Sequence, residues 1–292
     1  MKRFAMHFRK ALWLALEHDV LNTAKATAYS GMLMMFPALV LLTTLLAAVP
    51  EGTTLMGEIR AAFEQFLPAD ALSLLQASLQ ASRMRSAQLL ISATGISIFG
   101  GIGMMLSFME GFRRAYRLPR SDWDLWQRRL RALLLVPIVL VPLALATLLL
   151  VFGRQIEAWM IVNSDHELRH MVIIFWRLVR WAIALLTSVA VLGALYHFGT
   201  KRTEHWAWVM PGAIATTFLW FPATLAFGLY VTRIADYSMF YGSFGAGIAT
   251  LVWLYITSFS ALLGAELNGV LFRERRERDA FEETVEAPSS SL

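Results

Sequence analysis

Residues 87–109 read AQLLISATGISIFGGIGMMLSFM, 23 positions without one charged side chain. A helix rises 1.5 Å per residue, and about 20 apolar residues cross the hydrocarbon core of a bilayer. A water-facing helix of this length carries a polar stripe at 3.6-residue spacing. None is present here, so the stretch reads as a membrane span.

Five more stretches share the pattern: 28–49, 132–153, 178–199, 207–232 and 243–265. All six are 22 to 26 residues long, and Arg180 is their only acidic or basic residue apart from histidine. Backbone N–H and C=O groups in lipid must pair within their own segment, which leaves helices as the economical solution. The predicted fold is all-α: a polytopic six-helix membrane bundle with short amphipathic peripheral helices. Its organisation is an amphipathic segment over 1–27, a membrane domain over 28–272, and a charged tail over 273–292 expected to lack structure.

The chain has 292 residues, 57% of them hydrophobic, and no cysteine. The spans leave too little sequence for a separate soluble domain. Disulfides and thiolate metal sites are excluded. The net charge of +5 invites a nucleic-acid reading, but its distribution speaks for topology. Eighteen of the 26 Lys and Arg residues fall before the first span, between spans two and three, between four and five, and after six. Six fall on the alternate side. Positive loops stay cytoplasmic, so both termini are placed inside and no nucleic-acid partner is expected. The first span lies too far into the chain, and is too long, for a cleaved signal core.

Residues 2–20 form an amphipathic pattern, with Phe4, Phe8, Ala11, Leu12, Ala15 and Leu16 on one face and Lys2, Arg9 and Lys10 on the other. Such a helix lies in the headgroup layer or packs under the bundle. Two further helical patterns, split at Pro68, lie in the long outer loop over 50–86. The loop over 111–131 combines seven arginines with Trp123 and Trp126, a composition suited to lipid phosphates and the interface. Pro37, Pro137, Pro142, Pro211 and Pro222 sit inside spans, where proline kinks a helix.

The last span carries most of the candidate chemistry. Ala246, Thr250, Thr257, Ser260, Ala261, Gly264 and Asn268 recur at helical spacing. That stripe is a close-packing surface or a polar wall. Glu266 lies about 200° around the helix from Gly264, beside Tyr255, Phe259 and Leu262. It is about 34 Å along the axis from Ser243, near the cytoplasmic boundary. A carboxylate in a span is costly and marks a functional hypothesis. Its alternatives are an ion pair with Lys25 or an inner-loop arginine, and a role in gating. Before this span, 236–245 reads DYSMFYGSFG, a tight or re-entrant entry containing Asp236 and Tyr241. Arg177 and Arg180 stand at the outer end of span four, facing Asp236 or an anionic headgroup. The run His166-Glu167-Leu168-Arg169-His170 matches H-E-x-x-H, the spacing with which a helix offers two imidazoles to zinc. It lies in a short outer loop with no completing signature, so no metal is expected, and a membrane zinc metalloprotease with His166 and His170 as ligands is the distant alternative. No Walker loop, G-x-S-x-G or other cofactor motif is found, and no cofactor is expected.

Tyr241-Gly242-Ser243, Leu251-Val252-Trp253-Leu254-Tyr255 and Leu263-Gly264-Ala265-Glu266-Leu267-Asn268 resemble the YihY/BrkB family of bacterial inner-membrane proteins, once labelled ribonuclease BN. Pro211-Gly212-Ala213, Leu195-Tyr196, Ala28-Tyr29 and Phe36-Pro37 extend the likeness over most of residues 20–272. Two segments depart from the pattern: Gly111-Phe112-Arg113-Arg114 stands where an Asn is usual, and His197-Phe198-Gly199 replaces a proline after Tyr196. The resemblance implies six spans in the inner membrane and a transport or lipid-translocation role, without a settled enzymatic activity. The chain is expected not to be an enzyme, and the alternative reading is a structural or regulatory membrane protein without transport. The expected partners are membrane lipids and an anionic lipid or small-molecule substrate. The candidate binding or gating residues are Glu266, Asn268, Tyr241, Arg177, Arg180 and Asp236.

Overall fold

A computed structural model describes residues 2–47, 87–119, 124–163, 169–200, 205–233 and 244–286. Among these there are seven helices: α1 (Lys2–Glu17), α2 (Val20–Ala47), α3 (Ala87–Ala115), α4 (Leu125–Asn163), α5 (Arg169–Phe198), α6 (Trp206–Arg233) and α7 (Gly245–Glu286). The last six are each long and apolar enough to cross a membrane. The outer-loop patterns over 50–86 lie outside the described residues.

Local chemistry sets several helix ends. Asp124 stands at the N-cap of α4: its backbone carbonyl accepts the Arg128 N–H at 3.1 Å and its carboxylate accepts the Leu125 N–H at 2.9 Å. Arg117 takes a positive φ of 51°, and Leu118 N–H reaches back to Arg113 O at 2.9 Å, which closes α3 with a Schellman turn. Asp19 has φ of 60° at the corner between α1 and α2. Its backbone carbonyl accepts the Thr23 N–H, and its carboxylate accepts from Asn22 at 2.6 Å. The five span prolines all lie inside continuous helices.

α7 is the hub. Half of its spanning window is buried, against 11–28% in the other spans, and it packs on α1, α2, α3 and α6. The predicted small-residue stripe is a packing surface: Ala246, Thr250, Ser260, Ala261 and Asn268 are all buried. At its centre the backbones of α6 and α7 meet through two glycines. A Cβ on Gly264 would sit 2.6 Å from Tyr196 Oη and 2.7 Å from Gly212 O. Hydroxyls cross-link the same contact. Tyr196 Oη donates to Ala261 O at 2.7 Å and lies 2.8 Å from Thr216 Oγ1, which reaches Ser260 O at 3.2 Å. One turn lower, Asn268 accepts the Gly212 N–H at 2.7 Å and donates to Val209 O at 3.0 Å. It thereby stitches the backbone around Pro211, whose missing N–H leaves α6 short of a donor.

The opposite face of α7 meets α2 and α3. Leu254 stands 3.7 Å from the position of a Cβ on Gly31, while Leu262 and Thr23 both press on Gly111. α7 and α2 are therefore antiparallel, with the stripe Leu254–Ser258–Leu262–Glu266 descending past Gly31–Thr27–Thr23. Ser258 and Thr27 are both fully buried at the middle of this contact.

The segment from 273, expected to lack structure, is instead helical to Glu286. Arg273 precedes Glu277 by four residues and Glu274 precedes Arg278 by four, a spacing at which opposite charges support a helix. Arg275 and Arg276 also stack over Trp208 and Phe272 at 4.9 and 5.8 Å.

Gly264→Ala is expected to destabilise the detergent-solubilised protein by about 1–3 kcal/mol, the cost of overpacking a fixed contact. Gly228, where an added Cβ meets nothing within 4 Å, is the control, and Gly228→Ala should leave the unfolding midpoint unchanged or slightly raised. Equal midpoints for the two variants would contradict the glycine contact.

Candidate functional site

Glu266 is fully buried on the α2/α3 side of α7. Its partner is neither Lys25 nor an arginine but His18, at the end of α1. His18 Nδ1 lies 2.8 Å from Glu266 Oε1, a distance at which the imidazole N–H donates to the carboxylate. Lys25 is excluded by register. Thr23 and Thr27 face inward, which turns Lys25 outward, where it donates to Asn22 at 3.2 Å. No described donor reaches Glu266 Oε2, nor does a described acceptor meet the buried Nη2 of Arg273. Arg273 and Arg117 contribute positive potential at the carboxylate. Arg273 is itself anchored by donating Nη1–H to Ala115 O at 2.9 Å.

A second set of charges continues from this pair. Arg114 approaches His18 O at 3.5 Å and Asp19 Oδ2 at 3.7 Å, and donates to Glu110 at 3.3 Å. Arg113 holds the same Glu110 carboxylate with two N–H donors, at 2.6 and 3.0 Å. Arg128, from α4, reaches it at 3.3 Å. One network of charges therefore joins α1, α3, α4 and α7 at one end of the bundle. The α5–α6 connection arrives at the same end, where Gly199 abuts the Phe112 ring. A further tie lies lower on α1: His7 Nε2 is 2.7 Å from Glu274 Oε2.

The candidates named from sequence separate in space. Asn268 faces α6, away from Glu266, and both of its polar ends are occupied by backbone. Arg177 and Arg180 lie about 25 Å or more along α5 from Tyr196, which is level with the Glu266 end. Arg177 is exposed and Arg180 half-buried. They do not join Glu266. Asp236, Tyr241 and His166 lie outside the described residues, as does the side chain of His170. Among the described residues no group of three His, Cys, Asp or Glu side chains is placed to hold a metal ion.

Sequence reasoning missed His18 and Glu110. Glu110 had a local signal: one acid at the close of a span, followed by arginines three and four residues later. His18 had none, because 248 positions separate it from its partner.

His18→Ala removes the one described hydrogen bond of the Glu266 carboxylate and is expected to cost about 2 kcal/mol. Unfolding in a denaturing-detergent titration of the His18→Ala, Glu266→Gln and double variants should give a coupling of about 1–2 kcal/mol. Strictly additive effects would contradict the pair.

Comparison with known proteins agrees with the architecture. The family model described as virulence factor BrkB matches residues 14–288. The chain is 28% identical over 266 residues to the ribonuclease-like protein YfkH of Bacillus subtilis, covering 89% of this chain and 92% of that one. It is 27% identical over 264 residues to a UPF0761 membrane protein of Chromohalobacter salexigens, and 26% identical over 265 residues to one of Azotobacter vinelandii. These matches cover 89% and 88% of this chain, which spans 61% of each of those two relatives. No solved structure matches. The chain belongs to the BrkB family, and it is a membrane protein with six candidate spans.

Proposed function

We propose that the protein moves, or helps to move, an anionic amphiphile of the cell envelope, such as a lipid, across the bacterial inner membrane, with both termini in the cytoplasm. The observation that carries this reading is Glu266, a fully buried carboxylate with one oxygen on His18 and no described donor for the other. Ionisable groups inside membrane proteins are costly and mark the paths of ions and substrates. From Gly245 to Glu266 the helix descends about 32 Å, one hydrocarbon thickness, so the carboxylate falls near the boundary of the hydrocarbon layer.

In this mechanism Glu266 stands in for the substrate's charge. Arg273 and Arg117 contribute positive potential there, which Glu266 offsets. An arriving anionic headgroup competes with Glu266 for them, and the carboxylate then displaces the headgroup so that it leaves. Binding without such a competitor traps the substrate.

A second reading is a structural or regulatory membrane protein without transport. The dense α5–α6–α7 contact, closed by Tyr196, Thr216 and Asn268, favours it. The two readings separate in proteoliposomes carrying a fluorescent anionic lipid. Transport predicts wild-type flux above empty vesicles, and a loss of at least tenfold in Glu266→Gln with its folded yield retained. Normal flux in that variant removes Glu266 from the mechanism, and no wild-type flux across phosphatidylglycerol and cardiolipin analogues favours the structural reading.

A further inference from the structure

α1 is too short and too polar to span, yet it exposes a large apolar face. Its buried side, Ala11, Leu14 and Ala15 with Phe8 packed alongside, seats it on the bundle. Its other side carries Leu12, Trp13 and Leu16, which are 42%, 72% and 55% exposed. The sequence pattern placed Leu12 and Leu16 with the buried residues, but the structure turns them outward. Arg9 and Lys10 are exposed one turn before Trp13.

The two histidine–glutamate ties fix how α1 stands. Between His7 and His18 it advances about 16 Å, while α7 descends about 12 Å between Glu266 and Glu274. The helices therefore run antiparallel side by side, and α1 climbs toward the membrane rather than lying across the end of α7. Glu266 lies at the hydrocarbon boundary by the span length above. Leu16, Trp13 and Leu12 then fall within about 10 Å below that boundary, which is the headgroup layer. Arg9 and Lys10 lie one turn lower, at the level of the membrane's charged surface. Tryptophan with flanking basic residues is the composition that interfaces favour. Glu17 is the acid on the same side of α1, at the end beside Asp19 and away from Arg9.

We propose that this face of α1 is a docking surface for the anionic lipids of the leaflet at the basic end of the bundle, with Leu12, Trp13 and Leu16 inserted and Arg9 and Lys10 on the headgroup charge. The inference does not depend on transport. It makes α1 a lipid-charge-sensitive element coupled directly to Glu266 through His18.

The chain has no native cysteine, so a Leu16→Cys variant of the full-length protein accepts a single environment-sensitive fluorophore. The labelled protein is placed in nanodiscs of phosphatidylcholine alone, or with one third phosphatidylglycerol. Quenching by spin-labelled lipid is compared with quenching by aqueous iodide. Lipid quenching is expected to exceed iodide quenching in both discs, and to rise at least twofold with phosphatidylglycerol. Adding Arg9→Gln and Lys10→Gln should abolish that rise, since each basic residue near an anionic surface shifts partitioning by about fivefold. Dominant iodide quenching in both discs would overturn the proposal. So would protection from both quenchers that disappears at one protein per disc, because a second copy would then be the occupant. A rise that survives the double substitution would overturn the assignment to Arg9 and Lys10. Circular dichroism and elution volume matching the parent protein establish that the variants are folded.

Discussion

A charge left alone in hydrocarbon costs several kcal/mol, and this constraint arranges the described part of the molecule. Acidic and basic side chains are absent from the middles of the spans and gather at the ends. At one end they are not merely excluded from lipid but interlocked. Glu110 collects three guanidinium groups from two helices, Arg114 passes the network to the α1–α2 corner, and His18 closes it on the buried Glu266. Four helices that already pack on one another are thereby tied at one level.

α7 connects this charged end to the rest of the bundle because its two faces do different work. One is made of small and weakly polar residues that let α6 approach to backbone contact, with Tyr196, Thr216 and Asn268 satisfying the groups so brought together. In lipid there is no hydrophobic force between helices, so close van der Waals contact and such hydrogen bonds supply the association. The other face begins with Leu254 and Leu262 packed against glycines and ends at Glu266. The C-terminal extension of the same helix supplies Glu274 as the second anchor for α1.

The spans were legible because their signal is composition over more than twenty consecutive positions, which tertiary contacts do not alter. Glu266 was legible for a related reason, since a carboxylate so close to a span stands out against an apolar background. Its partner was not, because nothing near His18 in the chain points to position 266. Asn268 was legible as well, since its spacing puts it on the Gly264 stripe about 200° from Glu266, and that stripe is the face that meets α6. The amphipathicity of α1 was evident while its division was not: a helix resting on a bundle and touching lipid has two apolar sides, and periodicity alone cannot apportion Leu12, Leu16 and Ala11 between them. The helical continuation to Glu286 was missed because the absence of an apolar pattern was read as absence of structure, whereas its Arg and Glu spacing supports a helix without a core.

Six crossings with both ends on one side require the basic segments to lie together on that side of the membrane. Single cysteines placed at the exposed positions Lys10, Arg129 and Arg278 test this most directly, by reaction with a membrane-impermeant maleimide in sealed inverted and right-side-out vesicles. All three are predicted to react in inverted vesicles and to stay protected in right-side-out ones. Reaction of any one of them from the opposite side to the other two would contradict the six-crossing arrangement and the charged network built upon it.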